Sequence, residues 1–239
     1  MQIIPAIDII NGKCVRLTQG DYTQMTIYND DPLEVAKMFE DAGLQRLHLV
    51  DLDGAKAGTV TNWKVLESVA THTNLVIDFG GGIKQEKDVE AVLNSGAHFA
   101  TIGSLAVKSP AVFEHWIQQY GASKFLLGAD VKGEKIVVGG WLETTDNAII
   151  PFIQQYVEKG IQQVFCTDIS KDGKLEGPSI ELYNKIITEF PDLFFIASGG
   201  VSCFEDVLAL ERAGCKGVII GKAIYEGRIT LKQLVTRNP

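Results

Sequence analysis

LVIDFGGGI, residues 75–83, opens with a short apolar run, LVIDFG (75–80), broken only by Asp78 and followed by two further glycines before Ile83. A run of this kind fits a strand buried on both faces, as in a parallel sheet; a strand with one wet face would alternate apolar and polar residues. Working outward, seven more runs recur at similar intervals: IIPAID (3–8), LHLVD (47–51), FATIG (99–103), FLLGAD (125–130), VFCTD (164–168), FFIASG (194–199) and GVIIG (217–221). Helical patterns lie between them. DPLEVAKMFEDAG (31–43) places Leu33, Val35, Ala36, Phe39 and Ala42 at helical spacing, with Pro32 suited to a first turn and Gly43 to a C-terminal cap. Similar patterns occupy 86–96, 110–120, 147–159, 179–190 and 203–214.

Eight strand-then-helix units in 239 residues predict an α/β fold, a single (β/α)8 (TIM) barrel over residues 1–239. A doubly wound sheet would stop at fewer strands, and its dinucleotide-binding form needs GxGxxG after the first strand, where AIDIINGK stands. The halves also resemble each other. DFGGGI (78–83) then TIGS (101–104) are matched by IASGGV (196–201) then VIIGKA (218–223); Gly199 follows Gly81 by 118 residues, and Gly221 follows Gly103 by 118. Asp8 and Asp130 stand 122 apart, and Asp51 and Asp168 stand 117 apart, each at an expected strand end. Two fused half-barrels sharing one core would produce this spacing, and no linker-like composition divides them.

Composition excludes several functions. Apolar residues make up 46% of the chain, enough for a large core. With 30 acidic and 22 basic side chains the net charge is −8, and no segment clusters Lys and Arg, which argues against nucleic-acid binding. The start, MQIIPAIDIINGK, shows no basic leader, and no apolar run reaches membrane-spanning length. Cys14, Cys166, Cys203 and Cys215 form no CxxC pair, and His48, His72, His98 and His115 are scattered. These features predict a soluble cytoplasmic chain with no metal site and no membrane partner; a monomer is expected because a barrel closes its own sheet edges.

In such a barrel all strand C-termini converge on one mouth. Gly81 and Gly82 with Gly103 and Ser104, and Gly199 and Gly200 with Gly221 and Lys222, would then form two places where backbone N–H groups and helix starts can face an anion. The alternative for any one pair is a simple turn. A substrate with a phosphate at each end would bridge them. Asp8 and Asp130, read as the last residues of their strands, are carboxyls whose partial desolvation suits acid and base roles, or else loop caps. Asp51 and Asp168 are read as loop-orienting residues in the Gly-rich loops DLDGAKAG (51–58) and TDISKDGKLEG (167–177). Asp172 is read as forming a turn, with a swinging proton donor as the other possibility. Arg16, in KCVRLTQGDY (13–22), suits either an anionic or carboxamide group or a surface salt bridge. Trp141, after the small hairpin KIVVGG (135–140), suits stacking on a flat heterocycle or packing of that hairpin. The Thr167 hydroxyl suits a substrate or carboxylate hydrogen bond, or ordinary strand propensity.

Taken together, PAIDIINGKCVRLTQGDY, LHLVDLDGAKAG, DFGGGI, TIGS, GADVKGEKIVVGGW, CTDISKDGKLEGP, ASGGV and IIGKAIYEG resemble the phosphoribosylformimino-aminoimidazole-carboxamide ribotide isomerases of histidine biosynthesis, from Met1 to the last helix. The resemblance implies an Amadori rearrangement of a bisphosphorylated aminoaldose to an aminoketose, without a cofactor. It further implies Asp8 as proton acceptor, Asp130 as proton donor, and phosphate contacts at the two glycine groups; related barrels give the donor role to the aspartate matching Asp172. Three rivals remain. The cyclase of the same pathway has a first strand ending in Cys-Leu-Asp rather than Ala6-Ile7-Asp8. A bifunctional isomerase also acting in tryptophan biosynthesis departs from TQGDY. A non-catalytic phosphometabolite-binding subunit would not need both Asp8 and Asp130.

Overall fold

In the computed structural model, which describes residues 1–18 and 20–236, strands form at β1 Gln2–Ile10, β2 Lys13–Thr18, β3 Asp21–Asn29, β4 Arg46–Asp51, β5 Val76–Gly80 and β6 Phe99–Ile102. The second half supplies β7 Phe125–Lys132, β8 Lys135–Val138, β9 Glu143–Ala148, β10 Gln163–Asp168, β11 Phe194–Ser198 and β12 Gly217–Ile220. Eight of these pair in parallel in the order β1, β4, β5, β6, β7, β10, β11, β12, and β12 returns to β1 through Gln2↔Gly217 and Ile4↔Ile219. This closes the expected (β/α)8 barrel. Among the described residues no helix is long and apolar enough to cross a membrane.

The barrel has apolar packing on both sides of its wall, which is why its strands read as continuous apolar runs. Alternate residues point to opposite faces. Along β1, Ile4 and Ala6 join Leu126, Phe165, Ile196 and Ile219 inside the barrel, while Ile3, Ile7 and Ile9 belong to the larger layer under the helices. Phe39, Phe79, Phe113 and Trp116 are among the largest fully buried side chains of that layer, each contributing roughly 1.5–3 kcal/mol of transfer free energy. Helix Pro32–Asp41 carries Pro32 in its first turn, and its N-cap Asp31 accepts the Leu33 N–H at 2.9 Å. Gly43, with φ of 99°, takes the chain out of it.

Several elements depart from the sequence reading. DLDGAKAG, expected as a loop, folds into the short helix Leu52–Ala57, because Asp51 caps its start and Gly58, with φ of 76°, its end. Helix Trp63–His72 was not anticipated; it buries only Leu66 and Val69, too sparse a pattern to stand out. The expected helix 147–159 begins at Ile149, since residues 147 and 148 belong to β9. The largest difference follows the first barrel strand. There β2 and β3 form an antiparallel hairpin with Cys14↔Asn29 and Val15↔Ile27 in register, and the side chains of β3 are mostly exposed, so no buried stripe marked it. The KIVVGG hairpin forms as read, with Val131↔Ile136 in register, and β9 extends it.

Candidate active site

Neither Asp8 nor Asp130 is the last residue of its strand. The strands run on to Ile10 and Lys132, because each turns directly into an antiparallel partner: Asp8 pairs with Val15 of β2, and Val131 with Ile136 of β8. Each acid therefore sits where a barrel strand leaves the wall and a hairpin folds back over the mouth.

The two hairpins supply different partners. From β2, Arg16 Nη1 approaches Asp8 Oδ2 at 3.0 Å, with both side chains 13% exposed. The sequence offered Arg16 a ligand group or a surface salt bridge; it forms a largely buried pair with Asp8 instead. Burial alone would lower the pKa of Arg16, but the carboxylates of Asp8 and then Asp172 more than offset this and push it up. The guanidinium lies against Gly221, where a Cβ would be 2.5 Å from Arg16 Cζ. Gly221 is therefore a glycine for a steric reason absent from the sequence reading. Behind this pair, Tyr225 Oη donates to the Ala6 carbonyl at 2.9 Å and lies 3.3 Å from Cys14 Sγ.

Among the described residues, none forms a salt bridge with Asp130. Trp141 Nε1 donates to its Oδ2 at 2.8 Å, and the Thr167 hydroxyl from neighbouring β10 also hydrogen-bonds it. Burial pushes the Asp130 carboxyl above the usual carboxylate range, and those hydrogen bonds only partly oppose the rise. Trp141 reaches this position from a left-handed backbone, φ of 71°, after Gly139 and Gly140 at 67° and 68°. A non-glycine residue there costs on the order of 1–3 kcal/mol. Its ring also packs against Gly20, where a Cβ would be 3.0 Å from Trp141 Cε3. The two hairpins thus touch across the mouth.

Asp172 does lie in a turn, its N–H bonding the Asp168 carbonyl at 3.1 Å, yet it also faces the site. It shares a recess with Arg16, Gly199, Gly200, Gly221 and Lys222. Burial pushes its carboxyl up; Arg16 opposes this, while Asp8 and Asp130 add to it. Lys222 Nζ is held by the Gly173 carbonyl at 2.8 Å and lies 3.6 Å from Glu226. On the other side, Ser104 Oγ accepts the Gly139 N–H at 2.9 Å, tying the start of its short helix to the Trp141 hairpin.

The glycine pairs share a conformation. Gly81 and Gly82 have φ of 100° and 83°, and Gly199 and Gly200 have 89° and 83°. Gly103 and Gly221, which begin short helices, have φ, ψ of −115°, −96° and −114°, −92°. The loops pressed onto the first two pairs also demand glycine: a Cβ on Gly81 would be 2.1 Å from the Asp51 carbonyl oxygen, and one on Gly200 2.4 Å from that of Gly177. Asp51 and Asp168 orient these loops, as read from the sequence. Asp51 accepts N–H groups from Gly54, Thr61 and Asn62, and Asp168 accepts from Ser170 and Ser179.

Sequence reasoning missed the Asp8–Arg16 and Asp130–Trp141 pairings, and it missed Gly20 as a contact of Trp141. A closer signal existed for the pairings: each polar partner follows its acid within a dozen residues, across a possible hairpin. Nothing in the sequence marks Gly20.

The family described as histidine biosynthesis protein matches residues 2–230. Among curated relatives, the chain is 57% identical over 235 residues to the 1-(5-phosphoribosyl)-5-((5-phosphoribosylamino)methylideneamino) imidazole-4-carboxamide isomerase of Parabacteroides distasonis, covering 98% of each. The proteins of the same name from Flavobacterium johnsoniae and Bacteroides fragilis are 59% and 53% identical over 234 residues, again with 98% of each chain covered.

Proposed function

Because the chain belongs to the histidine biosynthesis protein family, we propose that it catalyses the isomerisation its relatives are named for, converting a bisphosphorylated aminoaldose ribotide into its aminoketose by an Amadori rearrangement. The contrast between Asp8 and Asp130 carries the mechanism. Asp130, desolvated and pushed above the usual carboxylate range, is the proton donor: it protonates the ribose ring oxygen, and the ring opens to a protonated imine. Asp8, ion-paired with Arg16, is the acceptor: it removes the C2′ proton to give an enol that tautomerises to the ketone. The chemistry requires no nucleophile and no cofactor.

The two glycine groups, Gly81, Gly82, Gly103 and Ser104 on one side and Gly199, Gly200, Gly221 and Lys222 on the other, take one phosphate each. Arg16 positions Asp8, Trp141 and Thr167 position Asp130, and the flat imidazole-carboxamide packs near the Trp141 hairpin. We propose a cytoplasmic setting, with which four free thiols are in keeping, and a monomer, with which a barrel that closes its own sheet is in keeping.

A second donor is also supported, since Asp172 is likewise raised by burial and faces Arg16 in the recess. The test is an assay of purified protein with the aminoaldose ribotide, following the absorbance change on isomerisation. Asp8→Asn and Asp130→Asn are each expected to abolish turnover while substrate still binds. An active Asp130→Asn with a dead Asp172→Ala reassigns the donor, and ammonia-dependent cyclisation or no reaction by the unmodified protein overturns the proposal.

A further inference from the structure

One side chain from the far end of the sequence touches all three strands of the fold-back that carries Arg16. Tyr225 closes the short helix Lys222–Tyr225, whose N-cap is Gly221, the glycine against the Arg16 guanidinium. The ladder between β1 and β12 ends at Pro5↔Ile220, and the carbonyl of the next β1 residue, Ala6, is taken by Tyr225 Oη at 2.9 Å. From β2, Cys14 Sγ meets the same oxygen at 3.3 Å. From β3, the Tyr28 ring stacks on the Tyr225 ring, with centroids 4.7 Å apart and planes at 25°. Phe39 of helix Pro32–Asp41 packs edge-on against that ring at 6.3 Å.

The hydrogens available set the direction of these bonds. A phenol has one hydrogen, which Tyr225 gives to Ala6, so the Cys14 S–H is the donor to the Tyr225 oxygen. Burial pushes the Cys14 thiol up, and it keeps that hydrogen at neutral pH. The resulting relay ties β2 to β1 through a residue 211 positions from Cys14 and 219 from Ala6.

The tie lies beside the acid and its cation. Ala6 stands two residues before Asp8, and Cys14 two before Arg16. The β1–β2 ladder runs through Ile9↔Cys14 to Asp8↔Val15 and stops, one residue short of Arg16. The β2–β3 ladder shifts register between Cys14 and Val15, and a shift of this kind re-aims the side chains beyond it. Strand pairing alone therefore leaves the aim of Arg16 weakly held. Lys13 and Asp30 also pair across the stem at 2.7 Å, but both are exposed, and such pairs contribute little.

We propose that Tyr225 is a positioning residue for the Asp8–Arg16 pair: by holding Ala6, Cys14 and Tyr28 together it fixes how β2 leaves β1, and so keeps the guanidinium on the carboxylate. This rests on the acceptor role proposed for Asp8. Tyr225→Phe keeps the ring and removes only the hydroxyl. It is expected to lower kcat about tenfold, with KM within about twofold, because a small misplacement of the pair is felt in the chemical step. The loss should disappear where the pair is already gone: added to Arg16→Met, Tyr225→Phe should cost less than about twofold more, since residues that act through one contact are not additive. A hydroxyl with a merely structural role would leave kcat of the folded enzyme unchanged. Losses that multiply, or a Tyr225→Phe kcat within about twofold of the unmodified enzyme, overturn the inference.

Thiol labelling supplies a measurement that needs no turnover. Cys14, Cys166 and Cys215 are all buried. In folded Tyr225→Phe, with the sites read by mass spectrometry, Cys14 alone is expected to react faster with a maleimide, by about tenfold, because the stem opens while the rest of the barrel stays closed. Equal acceleration at all three thiols, or none at Cys14, overturns the local hold. Should the unmodified enzyme isomerise the ribotide and Tyr225→Phe keep full kcat, this inference alone falls. Should the unmodified enzyme not isomerise it, the functional proposal falls and the labelling still decides whether Tyr225 holds the stem.

Discussion

The first and fifth barrel strands, β1 and β7, present an acid at the same mouth and then fold back as hairpins, yet the hairpins bring opposite chemistry. Arg16 gives Asp8 a full positive charge at 3.0 Å. Trp141 gives Asp130 one neutral N–H at 2.8 Å, against a carboxyl that desolvation raises. At an effective dielectric near 20, a contact like the first is worth about 5 kcal/mol of attraction before desolvation is subtracted, whereas a neutral hydrogen bond nets about 1. The strand thus sets where each carboxyl stands, and in the proposed mechanism the hairpin partner is what suits one to take a proton and the other to give one.

The hardest test of that contrast is Arg16→Met. It leaves Asp8 largely buried without its cation, and a fall in kcat of about 100-fold or more is expected. A loss under threefold would detach Arg16 from Asp8. Gly221→Ala reaches the same pair indirectly, because the new Cβ would lie 2.5 Å from Arg16 Cζ. The guanidinium must move, so kcat should drop about tenfold and denaturant unfolding should register a loss of about 1–3 kcal/mol. An unchanged enzyme would mean Arg16 shifts freely and the pair is not fixed.

On the other side, Trp141→Phe keeps a ring but removes the hydrogen bond, which lowers the Asp130 pKa. Its loss raises that pKa further, so the proton is held to higher pH and the high-pH limb of kcat moves upward. The weaker acid should cost about fivefold in kcat. A downward movement would show that the indole does not stabilise the carboxylate. The smallest effect is expected from Gly20→Ala, where the hairpins touch. A Cβ there would be 3.0 Å from the Trp141 ring, at φ of 74°. Thermal unfolding should show about 1 kcal/mol of destabilisation, with kcat within about threefold; a larger kinetic loss would mean that the two hairpins act together rather than separately.

How much could be read in advance differs from element to element. The barrel strands were legible because both faces of each are buried, so local composition alone marks them. Helix Pro32–Asp41 was legible through its cap and its apolar stripe, whereas helix Trp63–His72 buries too few residues to leave one. The β2–β3 hairpin left no trace because the side chains of β3 are mostly exposed. Within the site, the sequence marked Asp8, Asp130 and the glycine pairs, but it could not show that Gly221 faces Arg16 or that Ser104 is tied to Gly139.

By itself, then, the sequence determined the barrel and the residues that line its mouth, since period, strand ends and glycine spacing are local properties of the chain. Only the tertiary structure decided which partner each acid received and what meets inside the barrel. Asp8 meets Arg16 by way of a fold-back, and His48 meets Asp78 on the adjacent strand and Phe165 across the barrel interior. The first depends on the register of a local hairpin and the second on barrel closure, which brings together residues far apart in sequence and places them where little water screens their charges.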